Sequence, residues 1–201
     1  MKRDNSTFQL KVSMRRNLLS EIDAPIVIET HGGYGRLWSA CYTHLLDGVV
    51  FEKDRAKVEV LARQRPTWAV YEADCVRALA EGAGSHLMVN LYDVDPWGDP
   101  WSTLEALFSS KRPRPERLCV AVTDGLRDSA RAGHGWAARS LRWAVQRYGN
   151  TALYPRYREI CFEMFSRLVG SAGYDLRKWM SCYAGHHERM THYAAVLEKA
   201  S

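Results

Sequence analysis

Residues 90–101 read Asn-Leu-Tyr-Asp-Val-Asp-Pro-Trp-Gly-Asp-Pro-Trp, an apolar run that ends in three aspartates, two prolines and two tryptophans. A plain turn needs only Gly, Pro or Asn, so this set suggests a site that holds a planar polar group. An exocyclic amine fits it. The lone pair of such an amine is delocalised into its ring, which makes the nitrogen a poor nucleophile. A carboxylate that accepts its N–H bonds favours a pyramidal, reactive nitrogen and can take up the released proton. Asp95, Pro96 and Trp97 supply the acceptor, the stiff backbone and the stacking face in order. Asp93 is either a second acceptor or the partner of a neighbouring arginine. Asp99-Pro100 reads instead as the start of the next helix.

A second group of residues could hold a nucleoside cofactor. Ile28 to Trp38 read Ile-Glu-Thr-His-Gly-Gly-Tyr-Gly-Arg-Leu-Trp. Gly33 and Gly35 fit the dinucleotide loop G-x-G-x-x-G, but Trp38 stands at its third glycine, where close helix packing needs a bare backbone. Against the E-x-G-x-G-x-G loop of S-adenosylmethionine-dependent methyltransferases, Glu29, Gly33 and Gly35 fit and His31 replaces the first glycine. His31 thus sits where a cofactor carboxylate would approach. Glu52, further along, can accept from both ribose hydroxyls. Asp74 can accept from an adenine amino group, with Cys75 beside it. No Cys or His pair has metal-ligand spacing, so no metal site is expected.

These residues need elements that bring them together. The runs 26–29, 48–52, 68–72, 86–92 and 118–122 are short, nearly continuous in apolarity and rich in β-formers, as in strands buried on both faces of a parallel sheet. Helix-period segments separate them. Asp54 is placed to cap one, and Ala137, Leu141, Ala144, Val145 and Tyr148 make the stripe of another. Two further β-like runs, 176–184 and 190–198, read as a terminal hairpin. The expected fold is α/β: a single Rossmann-like domain with a mostly parallel seven-stranded sheet, a terminal antiparallel hairpin and helices on both faces. Residues 1–24 read as a basic lead-in segment and 25–201 as the domain. In such sheets ligands sit past the carboxyl ends of the strands, so the acids and glycines above form one candidate site.

Bulk properties narrow the class. A chain of 201 residues fits one domain. Five scattered cysteines without a C-x-x-C pair suggest reduced thiols and a cytoplasmic protein, and no apolar stretch or leader suggests a membrane. The net charge of +5 is clustered. Lys2, Arg3, Lys11, Arg15 and Arg16 crowd the start, Arg112, Arg114 and Arg117 follow Lys111, and Arg127, Arg131, Arg139, Arg142 and Arg147 dominate a later stretch. That pattern favours a polyanion, and Arg112 and Arg114 are candidate phosphate contacts.

The motif Asp93-Val94-Asp95-Pro96-Trp97-Gly98-Asp99-Pro100 resembles the D-x-D-P-aromatic-G-x-P signature of the tRNA guanine-N2 dimethyltransferases. Thr123-Asp124-Gly125 and Arg147-Tyr148-Gly149 resemble later segments of that family. The resemblance implies a class I methyltransferase domain, S-adenosylmethionine as cofactor and guanine N2 in RNA as acceptor. It implies Asp95 as catalytic acceptor, Pro96 and Trp97 as the base pocket, Glu52 and Asp74 as cofactor contacts, and Thr123 and Asp124 near the substrate. The family's C-terminal RNA-binding domain has no counterpart in these residues, so the chain's basic surface or a protein partner is expected to serve instead. A DNA or small-molecule amine remains an alternative acceptor, as does a non-catalytic binding module. The oligomeric state is left open.

Overall fold

The computed structural model describes residues 7–132 and 136–201; Lys2 and Arg3 of the basic start lie outside them. In chain order the elements are α1 (Phe8–Leu19), β1 (Val27–Glu29), α2 (Arg36–Cys41), β2 (Gly48–Glu52), α3 (Arg55–Gln64), β3 (Ala69–Glu72), α4 (Cys75–Ala80) and β4 (Leu91–Val94). They continue with α5 (Trp101–Ser109), β5 (Arg117–Asp124), α6 (Arg127–Ala132), α7 (Arg139–Tyr148), α8 (Asn150–Leu153), α9 (Tyr157–Ser171), β6 (Tyr174–Ala184) and β7 (Met190–Lys199). The seven strands form one sheet in the order β3-β2-β1-β4-β5-β7-β6. Strands β1 to β5 are parallel, and β7 runs antiparallel to both β5 and β6. This is the expected α/β architecture, terminal hairpin included.

Alternate residues of the strands feed two cores, as a period of two requires. On one face Ile28, Tyr92, Val120 and Val122 pack with α4, α5, α7 and α9. On the other, Val27, Val50, Leu91, Cys119 and Ala121 pack with α1, α2 and α3. Every residue of β1 and β4 is buried. Among the described residues, no helix is long and apolar enough to cross a membrane.

Two features differ from the sequence reading. The fourth strand is not 86–92 but Leu91–Val94. Asn90 ends the preceding loop because its side chain serves the chain before β1: Oδ1 accepts from Ile26 N at 2.8 Å, and Nδ2 donates to Ala24 O at 2.9 Å. The strand then runs on through Asp93, an acid in a fully buried position.

The second difference lies at the start of the chain. Residues 8–19 are no lead-in but the helix α1, whose Val12, Met14 and Leu18 lie in the same core as β5 and β7. From this helix Arg15 grips Asp93 in bidentate fashion, Nε to Oδ2 at 2.7 Å and NH2 to Oδ1 at 2.5 Å. Tyr42 Oη adds a third bond to Oδ2 at 2.8 Å. Both charged side chains are 1% exposed. Removing one partner of such a pair leaves an uncompensated buried charge, which typically destabilises by about 3–5 kcal/mol. Arg15→Met should therefore lower the unfolding free energy by about that amount in urea titration, while Arg16→Met, at an exposed position one residue away, stays within about 0.5 kcal/mol.

Candidate active site

After β1 the chain winds outward through β2 and β3, then returns to place β4 on the other side of β1. The carboxyl ends of β1 and β4 thus flank the switch point, where open α/β sheets bind ligands. Glu29 pairs with Asp93 in register there, and the loops carrying His31 and Asp95 follow directly.

The glycine loop is open to a ligand. Gly33 has φ +54, and a Cβ placed on it would meet no atom within 4 Å. The left-handed backbone and bare surface above it form a cradle that a side chain would fill. Glu52 at the tip of β2 is held by three backbone amides. Oε2 accepts from Gly33 N at 2.9 Å, and Oε1 accepts from Lys53 N at 2.9 Å and Asp54 N at 3.0 Å. Oε2 so held retains a lone pair for an outside hydroxyl. Asp74 caps α4 through Oδ1, which accepts from Val76 N and Arg77 N at 3.1 and 3.2 Å. The capping leaves the other oxygen, Oδ2, available to a donor from outside.

His31 lies between these groups. Its Nδ1 is 2.8 Å from Thr30 Oγ1 and its Nε2 is 3.6 Å from Cys75 Sγ. Burial lowers its pKa, although Asp95, Glu52, Asp74 and Asp93 all pull the other way. The ring is therefore neutral at pH 7 and faces acids from three strand tips. Cys75 is buried, and burial raises its thiol pKa, so it is a neutral neighbour and not a nucleophile.

On the other side of the switch point stands Asp95. Lys11 Nζ contacts its Oδ1 at 2.6 Å, and Thr123 also donates to it. Burial alone would raise the Asp95 pKa, but the charges of Arg15 and Lys11 and the hydrogen bonds from Lys11 and Thr123 outweigh it, and the net direction is down. Thr123 Oγ1 in turn lies 3.3 Å from His192 Nδ1. His192 is fully buried, and burial together with Lys11 and Arg15 lowers its pKa to about 4, which keeps it neutral. Pro96 is buried, whereas the Trp97 side chain is fully exposed. The loop is fastened at its far end, where Gly125 N donates to Gly98 O at 2.9 Å. A Cβ on Gly125 would lie 3.2 Å from Gly98 Cα, so the glycine is needed for this backbone contact. Asp99 then starts α5 as expected, its Oδ1 accepting from Trp101 N at 2.7 Å.

Five candidates from the sequence fall outside this surface. Asp93 has both oxygens engaged by Arg15 and Tyr42, so it is the partner of an arginine and not a second acceptor. Glu29 is buried and paired with Arg65, whose guanidinium sits 5.1 Å from the rings of both Trp38 and Trp68. Asp124 is fully buried and accepts from Leu126 N, Trp101 Nε1 and Tyr157 Oη. Arg112 and Arg114 precede β5 and so lie at the opposite edge of the sheet. Arg112 donates to Ser110 Oγ and Ala83 O, and Arg114 to Phe108 O and Ala172 O; they tie loops together and cannot reach a substrate at the strand tips.

Conversely, Lys11, Arg15, Tyr42 and His192 were not legible as site residues. One signal existed. Lys11 and Arg15 are four residues apart on a helix, a rise of about 6 Å, and Asp93 and Asp95 are two apart along extended chain, about 6.6 Å. The two spacings match, but only packing reveals that they face each other.

The order β3-β2-β1-β4-β5-β7-β6, with one antiparallel strand inserted near the end, is the Rossmann-like fold of the class I methyltransferases. Solved structures with this fold superpose over nearly the whole chain. Trm1 from Pyrococcus horikoshii, in complex with S-adenosyl-L-methionine, matches with a TM-score of 0.66 at 14% identity over 96% of this chain and 56% of that one. This chain therefore spans little more than half the length of that protein. NodS, an N-methyltransferase from Bradyrhizobium japonicum WM9 in complex with S-adenosyl-L-homocysteine, matches at 0.64 and 11% identity over 99% of this chain and 90% of that one. TYW2 from M. jannaschii, in complex with AdoMet, matches at 0.59 and 11% identity over 95% and 77%. No protein-family model matches the chain, and no curated protein matches it in sequence.

Burial raises the Asp124 pKa to about 7, against hydrogen bonds from Leu126, Tyr157 and Trp101 that lower it. A carboxyl whose folded pKa lies above its unfolded value favours the fold when protonated. That contribution is complete at pH below about 4 and is lost as pH rises through 7. Asp124→Asn should remove this loss, which in the wild type amounts to at most about 3 kcal/mol between about pH 5 and 8.5. Unfolding free energies measured between pH 5 and 8.5 for both proteins check it.

Proposed function

We propose that the protein is an S-adenosylmethionine-dependent N-methyltransferase that acts on the exocyclic amino group of a nucleobase, with guanine N2 in RNA as the favoured acceptor. The observation that carries this reading is that the strand-tip acids Asp95, Glu52 and Asp74 all act electrostatically on one half-buried ring, His31, which touches Thr30 and Cys75. An amine acceptor and two candidate nucleoside-binding acids thereby border a single space at the switch point. The donor set suits the cofactor: Oε2 of Glu52 for a ribose hydroxyl, Oδ2 of Asp74 for the adenine amine and the bare cradle over Gly33 for the methionine part. Superposition on structures that hold S-adenosylmethionine or S-adenosylhomocysteine supports the same choice. When bound, the cofactor supplies an electrophilic methyl group on a sulfonium.

The chain's own residues then have distinct tasks. Asp95, held ionised by Lys11 and Arg15, accepts an N–H of the substrate amine and stabilises the positive charge that grows on nitrogen as the new bond forms. Lys11 Nζ occupies one of the two carboxylate oxygens, Oδ1. Thr123 orients the carboxylate, with neutral His192 behind it. The exposed indole of Trp97 suits a base turned out of its stack better than a small aliphatic amine, which favours a nucleic acid. Trm1, a tRNA guanine-N2 dimethyltransferase, shares the fold, and the Asp95-Pro96-Trp97 turn resembles that family's signature, which favours RNA over DNA.

Transfer from methyl-labelled cofactor to separate pools of RNA, DNA and small amines tests the reading. Asp95→Ala should lower kcat by about 10²–10⁴-fold. Glu52→Ala should weaken cofactor binding in calorimetry by roughly 1.5–3 kcal/mol, or about 10- to 150-fold. Transfer unaffected by Asp95→Ala would remove its assigned role, and absence of cofactor binding to the wild type would end the enzyme reading.

Lys11 yields a second prediction. Its charge and hydrogen bond hold the Asp95 pKa down, and activity requires the ionised carboxylate. Lys11→Met should therefore move the acid limb of the kcat/KM profile to higher pH. Arg16→Met, five residues further on and exposed, should leave that limb in place.

A further inference from the structure

The residues that carry the motif leave most of the basic charge unused. Helix α7 reads Arg-Ser-Leu-Arg-Trp-Ala-Val-Gln-Arg-Tyr and contains no acid. Leu141 and Ala144 are buried, whereas Arg139, Trp143, Arg142, Gln146 and Arg147 fall on the opposite stripe at helical spacing. Arg139 to Arg147 spans about 12 Å along the axis. The helix packs beside α9, and the seam between them opens into two adjoining grooves of about 500 and 320 Å³. Trp143 and Arg167 line both, the guanidinium lying 4.4 Å above the indole.

The chemistry of this seam is one-sided. Phe162 is 42% exposed at the first groove, next to Arg147 and Arg167. The two acids present are occupied within the chain. Glu163 accepts from Tyr148 Oη, and Glu105 accepts from Ser140 N and Oγ at 2.6 and 2.8 Å and lies 3.8 Å from Arg139. The result is a row of arginines interleaved with aromatic faces. Such a row suits a single strand with a charged backbone and unstacked bases. The seam also leads to the strand tips: α9 starts where Tyr157 meets Asp124 at the end of β5, and Phe162 lies about 8 Å further along its axis.

We infer that the α7/α9 seam is a docking surface for single-stranded RNA, which holds the segment adjoining the nucleotide presented at Asp95. This rests on the RNA reading of the site above, and it gives the chain an RNA-binding surface of its own. Arginines of α7 contact phosphates, while Trp143 and Phe162 offer faces to bases.

The test compares Arg139→Glu/Arg142→Glu/Arg147→Glu with Arg55→Glu/Arg63→Glu/Arg77→Glu. The second triple makes the same change in net charge at exposed positions of α3 and α4. Binding of a short labelled single-stranded oligoribonucleotide is followed by anisotropy over a range of salt. Circular dichroism and S-adenosylmethionine calorimetry report fold and cofactor site independently. The α7 triple should lose at least about tenfold in RNA affinity, and its salt slope should fall by about 0.7 for each phosphate contact removed. The control triple should lose much less, and both should bind cofactor as the wild type does. Trp143→Ala and Phe162→Ala should weaken binding without altering the slope. Equal loss in the two triples would overturn the proposal, because the charge would then act diffusely. So would tighter binding of duplex DNA than of single-stranded RNA by the wild type, or no RNA binding by a wild type that binds cofactor. Failure of cofactor binding alone would strike the proposed activity and leave the seam's RNA binding to be read from anisotropy.

Discussion

The Arg15–Asp93 pair joins everything that meets at the switch point. An ionised aspartate in the middle of a doubly covered sheet is tenable only if its charge is cancelled and its oxygens are satisfied. Arg15 does the first with two parallel bonds, and Tyr42 completes the second. Because Arg15 belongs to α1 and Tyr42 follows α2, the pair locks two peripheral helices onto the central strand. It also sets the register of α1, so that Lys11, one turn before Arg15, reaches Asp95, two residues beyond Asp93. Structural and candidate catalytic aspartates are thus distinguished by burial: one is sealed, the other remains reachable.

The acids around the site are separated by the same rule. Burial raises the pKa of both Glu29 and Asp124, the latter to about 7, because neither has enough compensation to offset its loss of water. Asp95 moves the other way, since two cations and two hydrogen bonds outweigh its burial. Glu52 is held by three amides at a half-buried tip. A row of carboxylates that look alike in sequence therefore divides into buried anchors and groups at the strand tips with an oxygen open to a ligand. Neutral His31 and His192 stand on either side and add no charge that would repel a cationic ligand.

Surface charge is divided in a comparable way. Arg65, Arg112, Arg114 and Arg127 lie inward and bond to a carboxylate or to backbone carbonyls. Those on the outer stripe of α7 have no acid on their own helix to pair with. Counting arginines along the chain cannot separate these groups, and for that reason the cluster at 111–117 looked as promising as the one at 139–147.

Much of the architecture was legible from local pattern. Continuous apolar runs with β-branched residues mark strands covered on both faces, and helical stripes between them require a parallel sheet, whose ligand edge follows from connectivity. Asp54 as a helix cap and the Asp99-Pro100 helix start depend on residues a few positions apart, and so the sequence was enough. The glycine loop and the Asp-Pro-Trp turn were readable for the same reason. Pairing across long separations was not. Arg15 with Asp93, Lys11 with Asp95, and Thr123 with His192 are brought together only when α1 and β7 pack on the central strands. A side chain's type and spacing state what chemistry it could do; which oxygens are left free to do it depends on burial and on partners that only the tertiary fold supplies.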